Sequence, residues 1–131
     1  MPAVTQVDAE KVLVDYLFAL LPSIPEADGY SVGTRVKPNE TPVKAIRVRL
    51  IGGVTDSRVA ARPRLDVRVW GDGAVAGEGA TKKLARVLHG CIERDFRCTT
   101  FATPVPLPDP ADQSRGLVLF TVELLLKGVQ S

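Results

Sequence analysis

The chain has 131 residues, of which 45% are hydrophobic and 24% are charged, and its net charge is +2. This composition is typical of a globular domain with one hydrophobic core and excludes a disordered chain. The small net charge singles out neither a nucleic acid nor a membrane as a partner. No hydrophobic run approaches the roughly 18 residues of a membrane span. We expect a single domain over residues 1–131.

The two cysteines, Cys91 and Cys98, are too few for a disulfide scaffold or a zinc cluster. If the helix that holds Cys91 continues to Arg97, a rise of ~1.5 Å per residue separates the pair by about 10 Å, beyond the ~7 Å Cα limit of a disulfide. We therefore expect two free thiols. The N-terminus shows no charged segment followed by an apolar core, so we expect no signal peptide and synthesis in a cytoplasm.

A first helix is expected over residues 8–21, because its hydrophobic side chains recur with helical spacing. They form a wide apolar stripe of Leu13, Val14, Leu17, Phe18, Leu20 and Leu21. Thr5 and Asp8 form a capping-box-like pair before this helix, and Pro22 ends it. Residues 22–33 are expected to be a loop.

Three strands are expected next, at 33–37, 43–51 and 62–70. The second and third alternate, which is typical of strands with one buried face. The side chains expected to face inward are Ile46, Val48, Leu50, Leu65, Val67 and Val69; those expected to face outward are Arg47, Arg49, Arg64, Asp66, Arg68 and Trp70. These two strands are predicted to form an antiparallel hairpin with a long loop at about 52–61.

A second helix is predicted from an N-cap near Asp72 to about Phe96, with a continuous apolar stripe. The stripe consists of Ala76, Ala80, Leu84, Val87, Leu88, Cys91 and Ile92. A short strand at 99–105 and a proline-rich loop at about 104–115 follow. The last segment, 116–128, is a strand that is apolar on both faces except at Thr121 and Glu123, so it is either central in the sheet or buried against something else.

The order of these elements predicts an α+β fold. We expect a two-layer sandwich in which a mostly antiparallel sheet of four to five strands is covered by two helices on one face. The arginine-bearing face of the hairpin is then left outside.

Residues 71–76 match the dinucleotide fingerprint G-x-G-x-x-A through Gly71, Gly73 and Ala76. The match lacks its context, because no second parallel strand ending in an acidic residue follows the helix. His89, the single histidine, has no nucleophile placed beside it by the local sequence, and Cys91 is interpreted as a core residue. We therefore expect no enzyme, no cofactor and no metal site.

Arginines recur on one face of the two alternating strands. Arg47 and Arg49 lie on the first strand, and Arg64 and Arg68 flank Asp66 on the second. An RNA-binding sheet would show exposed aromatic residues at such positions, whereas this face shows arginines with an acid at its centre. Three alternatives stay open: phosphate binding, a solvated surface, and pairing with charges on a neighbouring subunit, for which the planar guanidinium is well suited.

The stretch RPRLDVRVWGDGAVAGEGATKKLARVL, residues 62–88, resembles a segment typical of tail terminator (tail completion) proteins of long-tailed bacteriophages. In that family a strand ending in an aromatic residue, usually Trp, leads into a helix with alanines and leucines. The N-terminal amphipathic helix, the chain length and the final strand after a variable loop also resemble the family. The glycines at the start of the second helix depart from the usual pattern.

The resemblance implies a viral structural protein and not an enzyme. Members of the family form a hexameric ring that caps the tail tube, ends its polymerisation and offers a surface to the head–neck connector. The implied partners are other copies of the chain, the tail tube protein and the connector, while DNA passes through the ring unread and no membrane takes part. The implied location is the tail–neck junction of the virion, after synthesis in the host bacterial cytoplasm.

Five residues are our candidates for the subunit or tube interface: Arg47, Arg49, Arg64, Asp66 and Arg68. Two alternatives to a tail terminator remain. One is another ring protein of the head–tail neck, and the other is a small nucleic-acid-binding module that uses the arginine face.

Overall fold

A mixed β-sheet lies at the centre of the structure, a computed structural model that describes residues 4–5, 8–34, 44–55, 60–71, 77–107, 116–127 and 129–130. The helices are α1 (Ala9–Leu20) and α2 (Gly77–Asp95). The strands are β1 (Val4–Thr5), β2 (Ser31–Gly33), β3 (Ala45–Thr55), β4 (Ala60–Gly71), β5 (Cys98–Pro106), β6 (Gly116–Leu124), β7 (Leu126–Lys127) and β8 (Val129–Gln130).

The strands of the main sheet lie in the order β2-β3-β4-β6-β5. All neighbours are antiparallel except β2 and β3, which are parallel, so the sheet is mixed. The short β7 pairs with the first residues of β4, and β1 pairs with β8 in a separate ribbon. β6 lies between β4 and β5. Its two apolar faces predicted either a central position in the sheet or burial against something else, and the central position is confirmed.

Both helices pack on the same face of this sheet, which confirms the expected α+β sandwich. The core contains Leu13 and Leu17 of α1 and Leu84, Ala85, Leu88 and Ile92 of α2. From the sheet it contains Ile46, Val48, Leu65, Val67, Val69, Val118, Phe120, Val122 and Leu124. Fully burying one such aliphatic or aromatic side chain stabilises a fold by roughly 1.5–3 kcal/mol, so this layer fixes the orientation of every strand.

Leu50 is the exception among the residues expected to face inward, since its side chain is 48% exposed. In the described residues, β2 pairs with β3 only as far as Arg47, so Leu50 lies on an unpaired stretch of the sheet edge. There its backbone N–H donates to the carboxylate of Glu10 at 2.7 Å. The edge thus obtains a hydrogen-bond partner from α1 instead of from a strand.

The first helix is shorter than expected and begins one residue later. Asp8 is its N-cap, with its carboxylate accepting from the Lys11 N–H at 3.1 Å. Thr5 lies in β1, so the expected capping box with Thr5 at its start is wrong. Phe18 is 70% exposed instead of buried, because Leu17 points into the core and the next residue is turned away from it.

The segment expected to be a loop after α1 has regular structure. Two 3-10 turns, Leu21–Ser23 and Pro25–Ala27, lead into β2. The expected strand at 33–37 therefore shares only Gly33 with the observed one, and residues 35–37 lie outside the described part.

The hairpin and the edge strand extend into segments expected to be loops. Pairing of β3 with β4 continues to Thr55 opposite Ala61, so the long loop expected at 52–61 is wrong, and only 56–59 lies outside the described residues. Likewise β5 continues to Pro106, through the start of the expected loop at 104–115, and residues 108–115 are not described.

The second helix begins at Gly77 and not near Asp72, which lies outside the described residues together with Gly73 and Ala76. Ala80 is exposed, and Thr81, one helical turn before Ala85, takes the buried position instead. Both cysteines are free, as expected.

Gly71, the first glycine of the dinucleotide-like pattern, has a packing role. A Cβ atom at this position would lie 1.9 Å from Thr81 Oγ1 and 3.0 Å from the Tyr30 hydroxyl. The close approach of β4 to α2 therefore requires a residue without a side chain.

We expect Gly71→Ala to lower the free energy of unfolding by roughly 1–3 kcal/mol through overpacking, as measured by denaturant titration. Gly79→Ala is the matched control: its Cβ would meet nothing within 4 Å, so the helix should gain up to about 1 kcal/mol. Adding Thr81→Ala to Gly71→Ala should restore part of the loss. Equal stabilities of Gly71→Ala and the wild type would contradict this packing role.

The two helices are also joined by polar contacts. The Tyr16 hydroxyl of α1 lies 2.5 Å from Asp95 Oδ2 and 3.0 Å from the Cys91 carbonyl oxygen at the end of α2. Hydrogen bonds from Arg94 and Tyr16 lower the pKa of Asp95 from 3.8 to about 2. The ionised carboxylate is therefore favoured in the folded state.

Because the folded pKa of Asp95 is below its unfolded value, its contribution to stability should be present above about pH 4 and be lost as the pH falls toward 2. Asp95→Asn should therefore be less stable than the wild type at neutral pH, and the difference should shrink over this window in urea titrations. Asp15→Asn is the control, since it removes an exposed ion pair within α1 that contributes little to stability. A difference that is constant with pH would contradict this role of Asp95.

Candidate interaction surface

The five predicted interface residues lie on the sheet face opposite the helices, which we call the open face. Along β4, Leu65, Val67 and Val69 point into the core, so the alternate side chains point the other way. The open face consists of Arg47, Arg49, Arg64, Asp66, Arg68, Trp70, Leu117, Leu119, Thr121 and Glu123.

Strand register arranges these side chains in rows across the sheet. From one end, the rows are Ala45–Trp70–Leu117, Arg47–Arg68–Leu119, Arg49–Asp66–Thr121 and Arg64–Glu123. The first row is a small hydrophobic cluster, 3–7% exposed, against which Leu107 packs. The open face is therefore apolar and buried at the row of Trp70 and charged at the row of Arg64 and Glu123.

The arginines lie along the sheet surface instead of extending from it. The Arg47 guanidinium lies 5.6 Å from the centre of the Trp70 ring, and that of Arg64 lies 3.8 Å from the centre of the Phe101 ring. The Nε atoms of Arg47, Arg64 and Arg68 are buried and have no hydrogen-bond partner among the described residues. For Arg47 and Arg64, stacking on aromatic rings partly offsets the cost of removing the cation from water.

Two acids of the open face are already engaged. Asp66 accepts a hydrogen bond from the Thr121 hydroxyl at 2.7 Å, and Glu123 forms an ion pair with Arg64 at 3.4 Å. Arg49, another cation of the open face, lies opposite Asp66 on the neighbouring strand. Its Nε nevertheless lies 4.0 Å from Oε2 of Glu10 in α1.

Arg47 and Arg68 are directly opposite each other on β3 and β4. Neither has a hydrogen bond or ion pair to a residue that the structure describes. Burial, and then the charges of Arg68 and Arg49, lower the pKa of Arg47 below its ordinary value, although a guanidinium stays protonated in proteins. Like charges directly across a strand pair are destabilising. The charge of Asp66 in the next row acts on Arg47 in the opposite direction, but no acid among the described residues forms an ion pair with either arginine.

The tertiary structure thus places the five predicted residues on one face. Arg49, Arg64 and Asp66 have polar partners there, whereas Arg47 and Arg68 have none among the described residues. Sequence reasoning did not name Thr121 and Glu123 of the open face among the candidates, nor Phe101, which lies beside Arg64. Thr121 and Glu123 had a signal, since they are the polar exceptions in the last strand. Phe101 had none, because its place beside Arg64 depends on how β5 pairs with β6.

His89 lies elsewhere, between α2 and β5. Its side chain is buried and packs on Phe120, with ring centres 5.2 Å apart. Its Nε2 lies 2.9 Å from Thr100 Oγ1, and its Nδ1 lies 3.6 Å from Glu93 Oε1. These contacts join the helix to the edge strand and account for the burial of His89 without a catalytic role.

Within the described part of the chain, no group of three or more His, Cys, Asp or Glu side chains is placed to hold a metal ion. Of the helices described, none is both long enough and apolar enough to cross a membrane. The chain matches no protein-family model, and none of the curated proteins matches its sequence.

Proposed function

We propose that this chain is a structural protein of a bacteriophage tail, which forms a ring on the end of the tail tube. The ring ends polymerisation of the tube and presents a joining surface to the head–neck connector. The proposal rests on the resemblance of residues 62–88 to tail terminator proteins, and its partners are other copies of the chain, the tube protein and the connector.

The observation that carries the proposal is the open face. On this charged sheet surface, Arg47 and Arg68 have no ion pair with a described residue. Such a surface is better suited to contact with another protein than to contact with solvent alone. Arginine is favoured at such interfaces because its planar fork makes several directed hydrogen bonds. A closed ring needs two complementary patches on each subunit, and the open face supplies one of them.

In the proposed mechanism, termination is steric. Subunits add to the open end of the tube, close into a ring, and present a far surface that accepts no further tube layer. Such a mechanism requires no reacting group, and it places the protein at the tail–neck junction of the virion. Another ring protein of the head–tail neck shares this physical basis and differs only in the layer that it contacts.

A nucleic-acid-binding module is the second candidate, and the free guanidinium groups of Arg47 and Arg68 favour it. It predicts tight binding of DNA or RNA that weakens steeply with salt, since each phosphate contact releases a counterion. The assembly proposal predicts weak and nonspecific binding at most.

Reversing the charge of Asp66 tests the open face as the interface. Asp66→Lys places a further cation beside the arginines and removes the acceptor of the Thr121 hydroxyl, so we expect loss of ring assembly and a monomer destabilised by about 1–3 kcal/mol. Asp66→Asn is the matched control, because its amide oxygen still accepts from Thr121. Circular dichroism checks folding, and light scattering after gel filtration measures assembly. Unchanged assembly of a folded Asp66→Lys variant would remove Asp66 from the interface.

Tail length in particles that lack the protein tests the function itself. We expect abnormally long tails without heads by electron microscopy, restored to normal by the wild-type protein supplied in trans. Tails of normal length that fail to join heads would indicate another neck role. Intact virions would overturn the proposal and make nucleic-acid binding the next hypothesis.

A further inference from the structure

Asp28 stands out among the acidic side chains that the structure describes, because its carboxylate has no hydrogen bond or ion pair. It follows the second 3-10 turn and is exposed. Its backbone carbonyl oxygen accepts from Lys44 Nζ at 3.2 Å, but its carboxylate is free. The other acids with described side chains each have a partner: Asp8, Glu10, Asp15, Glu26, Asp66, Glu93, Asp95 and Glu123.

Asp28 and the arginine pair lie on opposite sides of the sheet. Ala27 belongs to the core beneath the helices, and Glu26 of the same turn forms an ion pair with Lys83 of α2 at 3.4 Å. Arg47 and Arg68 point away from that core, on the open face. Within the described residues, one subunit therefore carries a carboxylate without an ion pair on its helix side and two arginines without one on its sheet side.

The surface around Asp28 offers apolar area for a contact. A cleft of about 770 Å³ lies beside it, lined by Phe18, Leu21, Pro22, Tyr30 and Val32. Phe18 is 70% exposed, which is unusual for so large a hydrophobic side chain. An isolated surface ion pair contributes little, whereas one surrounded by apolar contacts is shielded from water and contributes more.

We propose that the Asp28 carboxylate of one copy of this chain binds between the guanidinium groups of Arg47 and Arg68 of the next copy. The carboxylate accepts hydrogen bonds from both arginines and relieves the repulsion between them. Because the two patches differ, each copy uses one patch for each neighbour, and the contact propagates head to tail and closes where its rotation permits. The inference deepens the proposed function and rests on it for closure into a ring.

A protein carboxylate fits this face better than a nucleic acid does. Asp66 lies in the row next to the arginine pair and Glu123 in the row beyond it, and their carboxylates repel a continuous phosphate backbone. A single carboxylate on a surface loop reaches Arg47 and Arg68 without passing these acids.

Complementary variants test the contact by sedimentation velocity of the full chain. Asp28→Lys and Arg68→Glu should each weaken self-association by roughly 30-fold or more, since each leaves a charge without its partner. Mixed one to one, they should associate again, because Arg68→Glu keeps Asp28 and Asp28→Lys keeps the arginine pair. Asp15→Lys and Arg86→Glu, at exposed positions of the two helices, should associate as the wild type does.

Asp28→Asn, a milder change, should show the same direction of effect if Asp28→Lys fails to fold, with circular dichroism as the check. The inference is overturned if the wild type stays monomeric at every concentration, if the folded variants associate normally, or if their mixture stays monomeric. A wild type that stays monomeric yet binds duplex DNA through Arg47 and Arg68 overturns it in favour of the nucleic-acid alternative. The proposed function can fail independently of this contact. In that case tails that lack the protein have normal length, while purified copies of the chain still associate through Asp28.

Discussion

Strand β4 divides the structure into two faces, and most other features depend on how it does so. Its odd-numbered side chains from Leu65 to Val69 are fully buried beneath the helices, between matching residues of β3 and β6. A slip by one residue would place arginines and Asp66 in the core, at a cost of several kcal/mol for each unpaired charge. The hydrophobic layer therefore holds the charged residues on the open face without contacting them.

Once the register is fixed, the chemistry of the open face follows from which side chains become neighbours. Arg64 lies between Phe101 and Glu123, and Asp66 is held by Thr121. Arg47, which lies over Trp70, and Arg68 are left opposite each other, and neither forms an ion pair with a described acid. A fold that keeps two partly buried cations together stores an unfavourable interaction that an anionic partner can relieve, which is why the surface is interpreted as an interface.

Close packing between elements also explains Gly71, the last residue of β4. The glycine spacing that begins there matches a phosphate-binding loop, yet Gly71 is needed because Thr81 and Tyr30 occupy the space of a side chain. The first glycine of the pattern is therefore explained by close packing between a strand and the helix that covers it. His89 also has a packing role. It packs on Phe120, lies near Glu93 of its own helix, and joins α2 to the edge strand through its contact with Thr100.

For most residues of the helices and of β3 and β4, the sequence by itself determined which side chains face the core and which face outward, because a period of two or of 3.6 residues is a local property of the backbone. It therefore predicted both helices, the alternating strands and the common face of the five candidate residues. Only the tertiary structure decided where strands end, that β2 lies parallel to β3, and that Leu50 and Phe18 are exposed. It alone set Arg47 against Arg68 and left Asp28 unpaired, because pairing depends on the register between segments distant in the chain, which no local pattern encodes.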